Sequence, residues 1–297
     1  MVFLVFYGLQ KELTSNIPMN KICFVILSHS SYSDVWELLL KSYKDKVLSG
    51  LADVDFFITS DSTLNEYENS LLQDNGFRHL IYTKNIPWSN ALMQVVRKNE
   101  LSNYSHIFFS FDDLIVINFS VVKFKNATSE MFLNSDKYLK IYNSSHVNLW
   151  AKMFNLFEKH KLFEIRKHDS YRGNLVFACW DVHYLRKVLN NQGLNNLSPW
   201  QFEQRVNSFI DDAIGYKCVF SNVLEYENVI IKGKVDKLAL LKSNKSNKCD
   251  FVTNREFMTR RESVIHSVKL RVFQSARQIL PHRLFASLRN VKSRFLG

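Results

Sequence analysis

At 297 residues, with 46% apolar and 23% charged side chains, the chain can hold one large α/β domain or two small ones and can fill the core of either. Its four cysteines, Cys23, Cys179, Cys218 and Cys249, lie far apart without a CxxC pair, which argues against a zinc site or a disulfide framework. The net charge of +11 suggests a nucleic-acid partner only until it is located: ten Lys/Arg against two Glu fall between Arg255 and Gly297, leaving +3 for the rest.

The apolar start Met1–Tyr7 lacks the basic region and cleavage site of a signal peptide and is far shorter than the ~20 residues of a spanning helix, so a reduced, cytoplasmic protein is expected. A strand is expected over Lys21–Leu27, then the loop Ser28-His29-Ser30-Ser31 and a helix from Asp34, its N-cap, to Leu48. Val54–Thr59 reads as a second strand ending in Ser60-Asp61-Ser62, followed by a helix carrying Leu64, Leu71 and Leu72 that stops at Gly76. A third strand, Arg78–Tyr82, precedes Trp88-Ser89, with Ser89 capping a helix to about Leu101. This alternation is the βαβ rhythm of an α/β fold.

The run His106–Phe111 then reads as a buried parallel strand, and such strands deliver their C-terminal residues to the ligand crevice. Asp112-Asp113 closes the run. Two adjacent carboxylates at the end of a buried strand are costly unless a cation faces them, and oxygen ligands of this kind suit Mg²⁺ or Mn²⁺ carrying a phosphate. A turn or cap role is the alternative. Beyond them the pattern gives a helix over Val121–Asn134, a strand over Tyr138–Tyr142, a helix over Leu149–Leu162, a strand over Asn174–Ala178, and a helix from Asp181 to Asn190. Ser198-Pro199 opens a further helix with Gln201 completing a capping box. Asp211-Asp212 fall about two turns past Glu203 on that helix, and His168-Asp169 and Arg172 precede a strand in a loop that could meet phosphate. Lys242–Lys248 reads as a polar, low-complexity linker.

Six segments, in order, resemble a group of bacterial glycosyltransferases that build O-antigen or capsule and share the GT-A-type fold. They are Ile26–Trp36, Phe57–Asp61, Trp88-Ser89, Phe111–Leu114, Trp180–Leu185 and Ser198–Glu203. The resemblance covers roughly residues 21–230. It implies an α/β fold: a GT-A-type, Rossmann-like nucleotide-sugar domain with a mixed central sheet over 1–240. Its nucleotide-binding half is about 21–118 and its acceptor-side half about 119–240. A polar linker over 241–254 and a tail over 255–297 complete the chain.

The resemblance also implies roles. Ser28, His29, Ser30 and Asp61 would line the base and ribose, with Trp88 and Ser89 also on the donor side. Asp112 and Asp113 would hold a divalent metal and the sugar diphosphate, and Trp200 and Glu203 would form the acceptor side. Glu203 would be the base, and Asp113 would join it as a catalytic residue. The family's acidic motif spaces its carboxylates two apart, whereas here they are adjacent; side chains of neighbouring strand residues face opposite ways, so one of the two is expected to touch the metal. The chemistry is consistent in itself, since leaving phosphates build negative charge that a cation offsets, and the attacking hydroxyl must lose a proton to a carboxylate or His.

From Val264 to Leu280, and after Pro281 from Leu284 to Phe295, apolar residues recur at helical spacing among Arg and Lys. The tail is therefore expected to form two amphipathic helices on an anionic membrane. A helical hairpin against the core or a second subunit is the alternative. The expected function is transfer of a sugar from a nucleotide sugar to a lipid-linked glycan at the inner face of the cytoplasmic membrane. Two rivals are a nucleotidyltransferase, which would need a Gly-rich or basic loop after the first strand where Ser28–Ser31 has neither, and a nucleic-acid-binding protein using the basic tail.

Overall fold

The computed structural model describes residues 22–142, 162–165, 172–211, 215–219 and 223–279. The apolar start, most of the expected 149–162 helix, the His168-Asp169 pair, Asp212 and the helix expected after Pro281 lie outside these residues.

The chain forms the expected α/β fold around a mixed sheet. β1 (Ile22–Leu27), β2 (Asp55–Ser60), β3 (Phe77–Ile81) and β4 (His106–Phe111) pair in parallel in the order β3-β2-β1-β4. β6 (Tyr138–Lys140), β7 (Leu162–Glu164), β8 (Ala178–Asp181) and β9 (Tyr216–Val219) extend the sheet from β4 as β8-β6-β9-β7. β8 runs antiparallel to β4, with Phe109 opposite Ala178. Both faces are covered, so alternate residues of β1 serve two cores: Ile22, Phe24 and Ile26 on one, Cys23, Val25 and Leu27 on the other. The first core is closed by α1 (Trp36–Lys46), α2 (Glu66–Asp74) and α4 (Val121–Leu133), the second by α3 (Trp88–Val96), α5 (Val182–Leu189) and α6 (Pro199–Arg205).

β5 (Leu114–Phe119) leaves the main sheet and pairs antiparallel with β10 (Leu224–Asn228); β11 (Ile230–Ile231) and β12 (Lys234–Val235) form a small hairpin beyond it. Asp112-Asp113 is thus the two-residue corner where the chain passes from one sheet to the other.

Several elements depart from expectation for visible reasons. Asp34 does not cap α1. A 3-10 turn over Ser30–Val35 intervenes, capped by the His29 ring, which accepts from the Ser31 N–H, while Arg255 takes the Asp34 carboxylate. Ser89 is no cap either, because Pro87 precedes Trp88 and Ser89 lies inside the first turn of α3, which ends at Val96 rather than near Leu101. β8 starts at Ala178, not Asn174: Phe177 adopts φ +47°, which breaks an extended path, and the ladder then runs directly into α5, whose first turn Asp181 caps.

The supposed linker is helix α7 (Lys237–Asn247), capped by Asp236. Its polar residues face β5, where the Ser246 hydroxyl donates to the Ile117 carbonyl at 3.0 Å and the Asn247 amide to that of Val116 at 3.3 Å. Ser and Asn that read as solvated chain are thus covering a strand edge. The last described helix is α8 (Arg260–Ile279). No helix among the described residues is long and apolar enough to cross a membrane.

Candidate active site

Each parallel strand places one residue just past its C-terminal end: Ser28 after β1, Asp61 after β2, Tyr82 after β3 and Asp112 after β4. The strand order reverses between β1 and β4, the point at which open α/β sheets form their ligand crevice. Ser28 and Asp112 meet there. The Ser28 hydroxyl donates to Asp112 Oδ2 at 2.7 Å, and the His29 N–H donates to the same oxygen at 3.3 Å. Trp36 Nε1 donates to the Ser28 hydroxyl at 2.9 Å, and Tyr82 donates its hydroxyl proton to the Ser28 carbonyl at 3.1 Å.

One residue on, the Ser30 N–H donates to Asp61 Oδ1 at 3.1 Å, and His29 Nε2 lies 3.1 Å from Asp61 Oδ2. Both loop amides are therefore taken by carboxylates, so the loop presents acids rather than the bare N–H groups that cradle a triphosphate. Burial works against ionisation of Asp61, but the Ser30 hydroxyl and amide and the His29 ring outweigh it and hold the carboxyl below its ordinary range.

The corner pair behaves in the opposite way. Asp112 is buried, and desolvation, with the charge of Asp113 added, pushes its carboxyl up to about 7 against the bonds from Ser28 and His29. Asp113 is half-buried and is pushed up to about 6 by desolvation, opposed by its backbone and by the Asn228 side chain of β10. Their negative potential extends outward, since after burial the next contributions raising the Tyr32 hydroxyl come from Asp112 and Asp113, and those raising Tyr82 come from Asp61 and Asp112.

Among the described residues no group of three or more His, Cys, Asp or Glu offers a full protein cage. Two adjacent carboxylates on one corner, whose charge burial disfavours, could contribute to an ion such as Mg²⁺ or Mn²⁺ that takes one or two carboxylates and completes its shell with water and phosphate.

Phe202, the residue before Glu203, packs toward the same edge through aromatic contacts. The Trp88 ring stacks on Phe111 at 6.2 Å between centroids and meets Phe202 edge-on at 5.5 Å; these two phenylalanines directly precede Asp112 and Glu203. The expected capping box, with Pro199 opening α6, is formed by Ser198 and Gln201. Glu203 is buried over β6, where desolvation raises its carboxyl against the opposing charge of the buried Lys140. Lys140 is in register with Ala178, itself opposite Phe109, which puts it about 10 Å across the sheet from β4. Trp200 is 69% exposed and free of the core.

Other expected site residues are placed elsewhere. Ser89 is fully buried; its hydroxyl accepts the Leu197 N–H at 2.9 Å, pinning α3 to the turn before α6, so it cannot face a donor. Trp88 is half-buried and packs between Phe111 of β4 and Phe202 of α6. Arg172 is buried with its guanidinium 4.6 Å from the Tyr216 ring centre, not in a phosphate-facing loop. Asp211 does not share a helix with Glu203, because α6 ends at Arg205 and a 3-10 turn comes next.

The structure also supplies residues that the sequence pattern does not single out. Arg255 donates from Nε and Nη2 to both oxygens of Asp34 at 2.7 and 2.6 Å, bonds the Ser31 carbonyl, and lies 4.5 Å from the Tyr32 ring centre. The Thr253 hydroxyl adds a 3.3 Å bond to Asp34. A strap from the C-terminal region thus fixes the turn that leads out of the Ser28–Ser31 loop. Nothing local marks Arg255, which stands 221 residues from Asp34. Tyr82 could have been found as the residue directly after the third strand, in the place Ser28, Asp61 and Asp112 hold after theirs.

No family model and no curated protein matches the sequence. Among solved structures the chain is similar to S. aureus TarS 1-349 in complex with UDP, at 9% identity over 76% of this chain and 64% of that one, TM-score 0.48. It is also similar to S. aureus TarS, at 10% identity over 69% of this chain and 36% of that one, TM-score 0.44. A third is the mannosyltransferase PcManGT from Pyrobaculum calidifontis in complex with GDP-Man and Mn²⁺, at 9% identity over 99% of this chain and 83% of that one, TM-score 0.45. The chain spans less than two thirds of the length of both TarS structures. Likeness at this level carries no inference about activity.

Proposed function

We propose that this chain is a glycosyltransferase that moves a sugar from a nucleotide-sugar donor to a hydroxyl of a lipid-linked glycan in bacterial surface-polysaccharide assembly, working at the inner face of the cytoplasmic membrane. The observation that carries the reading is the adjacent acid pair Asp112-Asp113, one buried and one half-buried, at the point where the strand order reverses, next to the Ser28–Ser31 loop. An acid pair so placed favours a cation bridging to phosphate, and the aromatic and polar groups beside it suit a nucleoside. A divalent ion held by Asp112 and Asp113 would neutralise charge on the departing diphosphate.

The chain's own residues have separate tasks. Ser28, His29 and Asp61 form the donor wall; Glu203, its proton affinity raised by burial, takes the proton of the acceptor hydroxyl; Trp200, exposed one turn before it, offers a face for a sugar ring. The occupied amides of His29 and Ser30 weigh against the nucleotidyltransferase alternative. The test is hydrolysis of a panel of nucleotide sugars with and without Mn²⁺. Turnover of one donor, abolished by Asp112→Asn and Asp113→Asn, is expected. Indifference to every donor in a folded protein would overturn the reading.

A further inference from the structure

Eight of the thirteen exposed large apolar side chains among the described residues lie between positions 238 and 272. They occupy two helices and the segment between them. On α7, Ala239, Leu240, Ser243 and Asn247 turn inward, while Leu238, 71% exposed, and Leu241, one turn later, point away from the fold. On α8, Ile265, Val268 and Val272 stand three and four residues apart on one exposed stripe. Val252, next to the buried Phe251, is 81% exposed between them.

The two helices meet at one carboxylate. Asp236 Oδ1 accepts the Leu238 N–H at 2.9 Å, and Asp236 Oδ2 accepts the Ser263 hydroxyl at 3.1 Å. The start of the α7 apolar face and the first turn of α8 are therefore fixed against each other. Charge around the patch has one dominant sign. Lys237, Lys245, Lys248, Arg260, Arg261 and Lys269 are exposed, against the exposed acids Asp250 and Glu256; Glu256 and Glu262 are bridged by Lys234 at 2.8 and 3.3 Å. Scattered Leu and Val within a cationic rim are what an interfacial surface on anionic lipid requires.

We infer that α7, Val252 and α8 form one platform that rests on an anionic bilayer, so that membrane docking is a property of the folded domain as well as of the basic tail. This rests on the membrane-associated reading above and deepens it by adding α7. It also gives docking a structural route to the site: the strap of Thr253 and Arg255 that holds Asp34 lies within the platform, between Val252 and α8.

The experiment is co-flotation of the full chain with phosphatidylcholine vesicles, with and without phosphatidylglycerol. The parent is compared with Leu238→Ser/Leu241→Ser on α7 and Val268→Ser/Val272→Ser on α8, each checked for unchanged thermal unfolding. Expected is partitioning of the parent only where phosphatidylglycerol is present, reduced about tenfold or more by either double variant, the effect of withdrawing a large apolar side chain from an interface. An α7 variant that floats like the parent while the α8 variant is lost would overturn the platform and leave a tail-only anchor. A parent that ignores vesicles but sediments as a dimer, broken by the α7 variant, would also overturn it in favour of self-association. Nucleotide binding measured without vesicles is expected to be the same for parent and α7 variant, so its failure in the parent would count against the glycosyl-transfer reading alone.

Discussion

The corner acids leave a thermodynamic signature in the absence of any ligand. Asp112 has an ordinary value near 3.8 when unfolded and about 7 when folded. The folded state thus binds the proton more tightly, so the contribution of Asp112 to stability is complete below pH 4, falls as pH rises between the two values, and levels off above about 7. The loss across that window is about 4 kcal/mol, and Asp113, raised in the same sense, adds to it. Asp61, held low, contributes the other way only below the window. Asp112→Asn keeps an acceptor for Ser28 and removes the titration, so between pH 4 and 8 it is expected to lose about 4 kcal/mol less than the parent. Urea unfolding in EDTA at several pH values measures this. Mn²⁺ at pH 8 is expected to restore part of the loss in the parent and little in the variant. Equal pH slopes for the two proteins would refute the claim that Asp112 is buried against a second acid.

The site gives three further expected outcomes. Arg255→Lys is expected to raise the KM for donor with little change in kcat, because one ammonium cannot replace the two-pronged bond to Asp34; Asp34→Asn should behave alike, and a double-mutant cycle should show coupling of about 1 kcal/mol or more. Glu203→Gln is expected to lower kcat by about 10² to 10⁴ while donor binding persists, and single-turnover kinetics would separate the two effects. Trp200→Ala is expected to leave stability within about 0.5 kcal/mol, given its exposure, and to raise the KM for acceptor; loss of folding would contradict its placement.

Legibility from sequence was uneven for physical reasons. β1, β2 and β4 are largely apolar runs buried on both faces, so their existence could be read directly, whereas the edge strand β3 exposes Arg78 and Ile81; the Ser198-Pro199-Gln201 start of α6 carries its own chemistry. The Asp112-Asp113 corner was legible because two acids closing such a run demand an explanation. The features that escaped depended on distant partners. Asp34 has the form of a cap, yet it is claimed by Arg255; Ser89 has the form of a cap, yet it holds Leu197. Lys242–Lys248 has the composition of a linker, yet Ser246 and Asn247 cover the edge of β5. In each case a short polar side chain satisfies a backbone or charge more than a hundred residues away, and local pattern is blind to that.

The most direct measurement is calorimetric titration of the full chain with nucleoside diphosphates, with and without Mn²⁺, in parent and Asp112→Asn. Saturable binding of one diphosphate that strengthens with Mn²⁺ in the parent and loses that strengthening in the variant is the predicted result. Binding of equal strength in both proteins, whatever the metal, would place the nucleotide away from the corner acids and contradict the account.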